Sequence, residues 1–363
     1  MKKKYNILVC PLEWGLGHTG RMIPLVKRLQ ERQNNIFIGA GKEHQSLFRN
    51  ELQGLTYIDF QGFKPGYSRF LPQYLALLLK TPLLFYHMLT EHIRLKHIIH
   101  DNEIDIVISD NRFGLWNKKI KSVYVTHLAV IPLPEKLKCL EWIGVRFHRF
   151  FISKYSFCFI PDLPGELNVS GRLTHEVRLT ENIRFIGILS RFENKLSSRE
   201  NKAGFKHNTL ILSGPEPQRG IFRQKIVEIL RHSGIPIVIL EGKPGNSTGV
   251  TTSGNIISYN HLPSNEMQNI ISESESIITR SGYTSIMELI SLNCSALIVP
   301  TPGQTEQEYL AGYLSAKGWF ATVSQKKLKA GLTLPEKKAL WTGEIIDESR
   351  KLLEKALDEL LNQ

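Results

Sequence analysis

Short apolar runs alternate with segments of helical period along most of the chain. Ile7–Val9, Ile36–Ile38, Ile106–Ser109, Val123–Val125 and Phe157–Ile160 are apolar on both faces, and helically spaced segments separate them. Strands of that kind belong to parallel sheets covered by helices on both sides. A polar stretch, Asn194 to Asn208, interrupts the pattern. It then restarts with Leu210–Leu212, Ile235–Leu240, Ile256–Ser258, Ile277–Thr279 and Ala296–Val299. The two series predict two doubly wound α/β domains, residues 1–190 and 191–363. Leu352, Leu353, Leu357, Leu360 and Leu361 make the last segment, Asp347 to Leu361, an amphipathic helix closing the second domain. The length, 363 residues, suits two domains that each bury a core.

Composition changes this picture little. Hydrophobic residues make up 42% and charged residues 22%, which argues against a largely disordered chain. Cys10, Cys139, Cys158 and Cys294 lie far apart with no CxxC pair, which excludes zinc-ribbon and disulfide-scaffold patterns and suits a reducing compartment. The N-terminal apolar run is too short for a signal peptide, so a cytoplasmic location is expected. No run of 18 apolar residues exists, and a membrane span is not expected.

Charge is more informative. The net charge is +12, and residues 1–190 hold 26 Lys+Arg against 16 Asp+Glu, whereas 191–363 hold 20 against 18. A basic first half attracts nucleic acid, an anionic membrane surface or a phosphorylated substrate. The Lys and Arg are scattered and no zinc-finger or RNP-type motif accompanies them, so nucleic acid is not expected. Two apolar stretches, 70–86 and 140–159, carry basic residues; the second sets Trp142, Phe147, Phe150 and Phe151 beside Arg146, Arg149 and Lys154. Each reads either as a buried helix with a solvated basic face or as a surface seated in a membrane interface.

The candidate chemistry lies in strand-to-helix loops, where open α/β sheets bind ligands. After the first strand, Gly15, Gly17 and Gly20 satisfy G-x-G-x-x-G before a helix expected from near Met22. The second strand ends in small residues and Lys42 before any acid, which counts against a nicotinamide dehydrogenase. His18 among these glycines is placed to take a proton from a substrate hydroxyl; alternatively it caps the loop. Asp110, closing Ile106–Ser109, is placed to orient that imidazole, or to cap the next helix. His127 follows Val123–Val125 and either contacts substrate or packs. No D-x-D motif is present, and His87, His92, His97 and His100 are spaced around a helix instead of pairing at i,i+4, so no metal site is expected.

Three elements of the second half carry a resemblance. Arg280-Ser281-Gly282-Tyr283-Thr284-Ser285 with Glu288, then Ala296 to Pro300, then Gln304 to Tyr309, resemble the donor-binding region of family 28 GT-B glycosyltransferases. That family includes the group that adds N-acetylglucosamine to lipid I. The resemblance implies two Rossmann-like domains of the GT-B fold with the active site in the cleft between them. It implies inverting transfer from a UDP-sugar, with UDP-N-acetylglucosamine among the candidates, to a hydroxyl acceptor such as a lipid-linked or envelope glycan precursor. It further implies neither metal nor cofactor beyond the UDP-sugar co-substrate.

The donor residues follow from the same match. Gly282 opens a helix whose N–H groups and dipole suit a diphosphate, and Ser281 and Thr284 add hydroxyls. Arg280 and Tyr283 flank it. By the resemblance Glu288 takes the ribose hydroxyls, Gln307 and Glu308 read the donor sugar, and Ser213, Gly214 and Arg219 line the phosphate side. The backbone near Leu262 holds the uracil. The acceptor side comprises Gly15, Gly17, Thr19, Arg21, Asn111, Arg112 and His127, with His18 as base and Asp110 as its partner. The basic first domain and its apolar stretches point to an acceptor on a membrane lipid and to peripheral attachment at an anionic surface. Hydrolysis or epimerisation of the UDP-sugar, and a non-catalytic sugar-nucleotide-binding subunit, are the alternatives.

Overall fold

A computed structural model describes residues 3–64, 79–177, 179–192, 207–231, 234–243, 249–329, 332, 334–336 and 343–362. The part of the first apolar stretch from 70 to 78, and the polar stretch from 194 to 206, lie outside them. The chain divides into two compact units, one of residues 1–14, 18–189 and 343–363, the other of 15–17 and 190–342.

The first unit is a seven-stranded parallel sheet. Its strands are β1 (Asn6–Cys10), β2 (Asn35–Ala40), β3 (Thr56–Asp59), β4 (Ile106–Asp110), β5 (Lys121–Val125), β6 (Phe157–Ile160) and β7 (Ile183–Phe185), in the order β3-β2-β1-β4-β5-β6-β7. Ile7, Leu8, Val9, Ile106, Val107 and Ile108 are all fully enclosed, because helices cover both faces. Each such side chain contributes about 1.5–3 kcal/mol relative to exposure. The covering helices are α1 (Leu16–Glu31), α2 (Lys42–Glu51), α3 (Thr81–Asp101) and α4 (Glu141–Ile152). Strand order reverses between β1 and β4, so the crevice at their carboxyl ends is the expected ligand position.

The second unit repeats the plan with β8 (Asn208–Ile211), β9 (Ile237–Leu240), β10 (Val250–Ser253), β11 (Ile256–Tyr259), β12 (Ser276–Thr279), β13 (Leu297–Ile298) and β14 (Ala321–Thr322). Their order is β10-β11-β9-β8-β12-β13-β14, parallel except for β10 against β11. Helices α5 (Gln218–Leu230), α6 (Ser264–Glu273), α7 (Tyr283–Ser291) and α8 (Thr305–Ala316) connect them. Leu210, Phe222, Ile226, Ile237, Ile239 and Ile278 form the core between sheet and helix. Here the order reverses between β8 and β12.

Three expectations need correction. Helix α1 starts at Leu16, not near Met22, so His18 stands in its first turn. A glycine inside a helix costs only about 1 kcal/mol, which the burial of Thr19, Met22 and Ile23 outweighs. The four strands that the apolar runs do not announce, β3, β7, β10 and β14, are the four sheet edges; an edge strand needs no two-sided apolar run. The last helix, α9 (Glu344–Asn362), expected with the second domain, belongs to the first unit. There Ser349 Oγ accepts the Ile188 N–H at 3.0 Å, Glu359 pairs with Arg184 of β7, and Lys121 donates to the Leu360 carbonyl at 2.8 Å.

Candidate functional site

In the first unit, the reversal between β1 and β4 brings His18 from α1 against Asp110, the last residue of β4. His18 Nδ1 lies 2.9 Å from Asp110 Oδ2. Arg21, one helical turn after His18, is 1% exposed. Its Nε donates to Asp110 Oδ2 at 3.0 Å and its Nη2 donates to Oδ1. The remaining terminal nitrogen, Nη1, reaches His127 Nδ1 at 2.7 Å. His18, Asp110 and His127, which the sequence placed on three separate loops, thus meet around the Arg21 guanidinium.

Asp110 is fully buried. Burial alone pushes its carboxyl up, but the charges of Arg21 and His18 and their hydrogen bonds outweigh it and hold the group at about 2. An ionised carboxylate can only accept, so the nitrogen of His18 facing it carries the proton and Nε2 carries the lone pair. That is the tautomer a general base requires. The depressed value also has a stability consequence: the ionised group favours the folded state above the unfolded carboxyl range, and this is lost as pH falls from about 4 to about 2. Wild type should lose about 2 kcal/mol more than Asp110→Asn over that interval in denaturant titrations. Parallel pH profiles would refute the assignment.

The other acceptor-side residues divide. Thr19 is buried, its hydroxyl bonded to His44 Nδ1 at 2.7 Å. Asn111 has φ of 51° and accepts from the Tyr124 hydroxyl at 3.2 Å. Arg112 stands in the loop after β4, but its side chain is buried. It turns into the core, paired with Glu91 at 3.1 Å and donating to the carbonyls of Gly39 and Phe60; a guanidinium with a buried carboxylate and two carbonyls within reach has no reason to face solvent. Gly15 and Gly17 group with the second unit.

In the second unit the expected donor residues gather at the carboxyl ends of β8, β11, β12 and β13. Gly214, with φ of 86°, follows β8 beside Ser213, and Arg219 donates to Glu216 at 3.0 Å. Gly282 caps α7, with open space where a side chain would stand. Ser281 donates to the Gln307 carbonyl at 2.8 Å, and Thr284 to the Gly17 carbonyl at 3.0 Å within the same unit. Tyr283 and Leu262 are buried. Gln307 and Glu308 fold back on their own loop, accepting the N–H groups of Thr301 at 2.9 Å and Gly303 at 3.0 Å.

Arg280 is 1% exposed, and among the described residues its guanidinium meets neutral groups: the carbonyls of Val299, Pro300 and Gln218, the Gln325 amide oxygen and the face of Phe222. Burial lowers it to about 10. Among the described residues no carboxylate neutralises it. Glu288 is buried on α7, and Arg191 donates to it at 2.7 Å. Sequence reasoning missed Arg191, because it stands beside the polar connection with no motif around it.

Residues 243–355 match the glycosyltransferase family 28 C-terminal domain. Solved glycosyltransferase structures superpose on nearly the whole chain. The kitacinnamycin glycotransferase has a TM-score of 0.60 at 12% identity, covering 100% of this chain and 94% of its own. The spinosyn rhamnosyltransferase SpnG, complexed with thymidine diphosphate, gives 0.58 at 12%, covering 98% and 93%. UGT89C1 of Arabidopsis thaliana, complexed with quercetin, gives 0.58 at 13%, covering 99% and 95%. The fold is that of the GT-B glycosyltransferases. No curated protein matches the chain significantly. Within the GT-B fold, most of the segment matched to family 28, residues 243–342, lies in the second unit and its last part, 343–355, in the first, where the His18–Asp110 pair also stands.

Proposed function

We propose that the protein is an inverting glycosyltransferase that moves a sugar from a UDP-sugar to a hydroxyl acceptor. The observation that carries this is the His18–Asp110 pair at the strand reversal of the first unit. His18 Nε2 takes the acceptor hydroxyl proton as the oxygen bonds to the anomeric carbon. The bond from that carbon to the diphosphate breaks, UDP leaves with the electron pair, and Asp110 steadies the imidazolium. The second unit suits the leaving group. The N-terminus of α7 at Gly282, and Arg280, which no carboxylate among the described residues neutralises, supply positive potential suited to a diphosphate gaining charge.

Incubation with UDP-sugars, with and without sugar and lipid acceptors, tests the reading by its products. Transfer with inverted configuration supports it; free sugar alone marks a hydrolase, an epimer an epimerase, and binding without turnover a subunit. For the donor, Glu288→Gln should weaken UDP binding in calorimetry by about 1–3 kcal/mol if the carboxylate holds the ribose. Unchanged affinity in the folded variant removes Glu288 from the site. A larger thermal shift with dTDP than with UDP would change the nucleotide.

For the acceptor we infer a lipid-borne hydroxyl, because α3 and α4 leave a joint apolar and basic surface exposed. Leu83, Phe85, Tyr86 and Leu89 stand out on α3, and Trp142, Ile143 and Phe150 on α4. Phe85 and Phe147 join the two helices edge to face at 5.9 Å. A groove of about 630 Å³ beside α4 is lined by Lys138, Arg146 and Arg149 along with Trp142, and by Glu176 and the Arg172–Glu141 pair. No helix among the described residues is long and apolar enough to cross a membrane. Sedimentation with vesicles should show several-fold stronger binding to phosphatidylglycerol than to phosphatidylcholine, reduced by salt and by Trp142→Glu with Phe150→Glu. Equal, negligible binding to both removes the membrane from the reading.

A further inference from the structure

Two histidines stand near one buried carboxylate, and only one of them can be the base. The rings of His18 and His127 are 6.4 Å apart between centroids, and both present Nδ1 to the guanidinium of Arg21, at 2.9 and 2.7 Å. Arginine has donors and no acceptor. Its Nη1 at His127 Nδ1 therefore requires a lone pair there, which places the proton of neutral His127 on Nε2. His18 is in a different position. Its Nδ1 also faces Asp110 Oδ2 at 2.9 Å, and a lone pair pointed at an ionised carboxylate would be repelled. Nη2 already donates to Asp110 Oδ1, so it stands beside His18 Nδ1 without needing it as acceptor. The charge-assisted bond from Nδ1–H to the carboxylate wins.

We propose that Arg21 is a positioning residue that holds His127 with its proton on Nε2, the tautomer opposite to the one Asp110 imposes on His18, and so leaves His18 alone to present a basic Nε2. The consequence for catalysis rests on the transfer reading; the tautomers do not. Glutamine or methionine at position 21 would remove both the charge and the fork. Lysine would keep the charge beside Asp110 but, as a single ammonium on a flexible stem, could not also hold His127 in the geometry of the rigid fork.

The test is long-range nitrogen–proton NMR on the ligand-free full chain labelled with 15N-histidine, the two rings being assigned from His18→Gln and His127→Gln. In wild type at a pH where both rings are neutral, His18 should show its proton on Nδ1 and His127 on Nε2. In Arg21→Lys the His18 pattern should persist and the Nε2–H population of His127 should fall. In Arg21→Met the His127 ring should become a mixture while His18, still facing Asp110, keeps its proton on Nδ1, and transfer should fall at least tenfold as Asp110 loses the fork that orients it. A wild-type His127 protonated on Nδ1, or a His18 protonated on Nε2, overturns the proposal without any variant having to fold. So does a His127 signal unchanged in Arg21→Lys. The expected tautomers without transfer to any acceptor would remove the glycosyltransferase reading and leave Arg21 in its role.

Discussion

Replacing His18 with alanine should lower the rate of sugar transfer by about 10²–10⁴-fold, the usual contribution of a general base. UDP binding should stay nearly intact, because the residues expected to hold UDP belong to the second unit. Asp110→Asn should cost a similar factor or less. It turns an ion acceptor into an amide that can present N–H to His18 Nδ1, and that favours the wrong tautomer. The double variant should be little slower than His18→Ala alone, since two residues acting as one unit are not additive. Rates under saturating donor, with UDP affinity measured alongside, check all three. Losses that multiply would give Asp110 a separate role, and near-normal turnover by His18→Ala would end the mechanism.

The second large effect is on stability. Gly187 has φ of 71°, and a Cβ there would overlap the Cα and Cβ of Ser349 on α9. Gly187→Ala forces a left-handed backbone at about 1–2 kcal/mol and overpacks a helix backbone at about 1–3 kcal/mol. A total of about 2–5 kcal/mol is a large share of a domain's usual 5–15 kcal/mol. Gly165→Ala is the control: φ is 92° there, but nothing lies within 4 Å of the added carbon, so only the backbone cost remains. Denaturant midpoints separate the two. Equal losses would mean that the contact with Ser349 yields at no cost.

Much of this architecture is legible in the chain because central parallel strands must be apolar on both faces. Ile106–Ser109 and Ile277–Thr279 could hardly be anything else, and they mark the two reversals where the sites form. The edges carry no such requirement: Thr56–Asp59 is part exposed and Val250–Ser253 exposed throughout, so no two-sided apolar run announces a strand there. A short motif placed Gly282 at the start of α7, whereas the glycines around His18 read as a loop where α1 has already begun. Asp110 was legible as the partner of His18 from its place at the end of β4, but the fork by which Arg21 joins Asp110 to His127 was not, because sheet order brings the three together. Arg112, two residues after Asp110, turns its side chain to the core instead. Arg191 meets Glu288 across 97 residues, a pairing no local pattern encodes.

The last helix has a consequence for how the protein is made. Because α9 packs on β7 and supplies Ser349 to Ile188, the first unit is discontinuous in the chain, with the whole second unit inserted between its parts. A ribosome emits all seven strands of the first sheet long before the helix that finishes it. Until residues 344–362 leave the exit tunnel, the nascent first unit waits with an unfinished apolar flank, while the inserted unit can already collapse. A frameshift or stop codon near residue 343 would therefore spoil the part of the protein translated first.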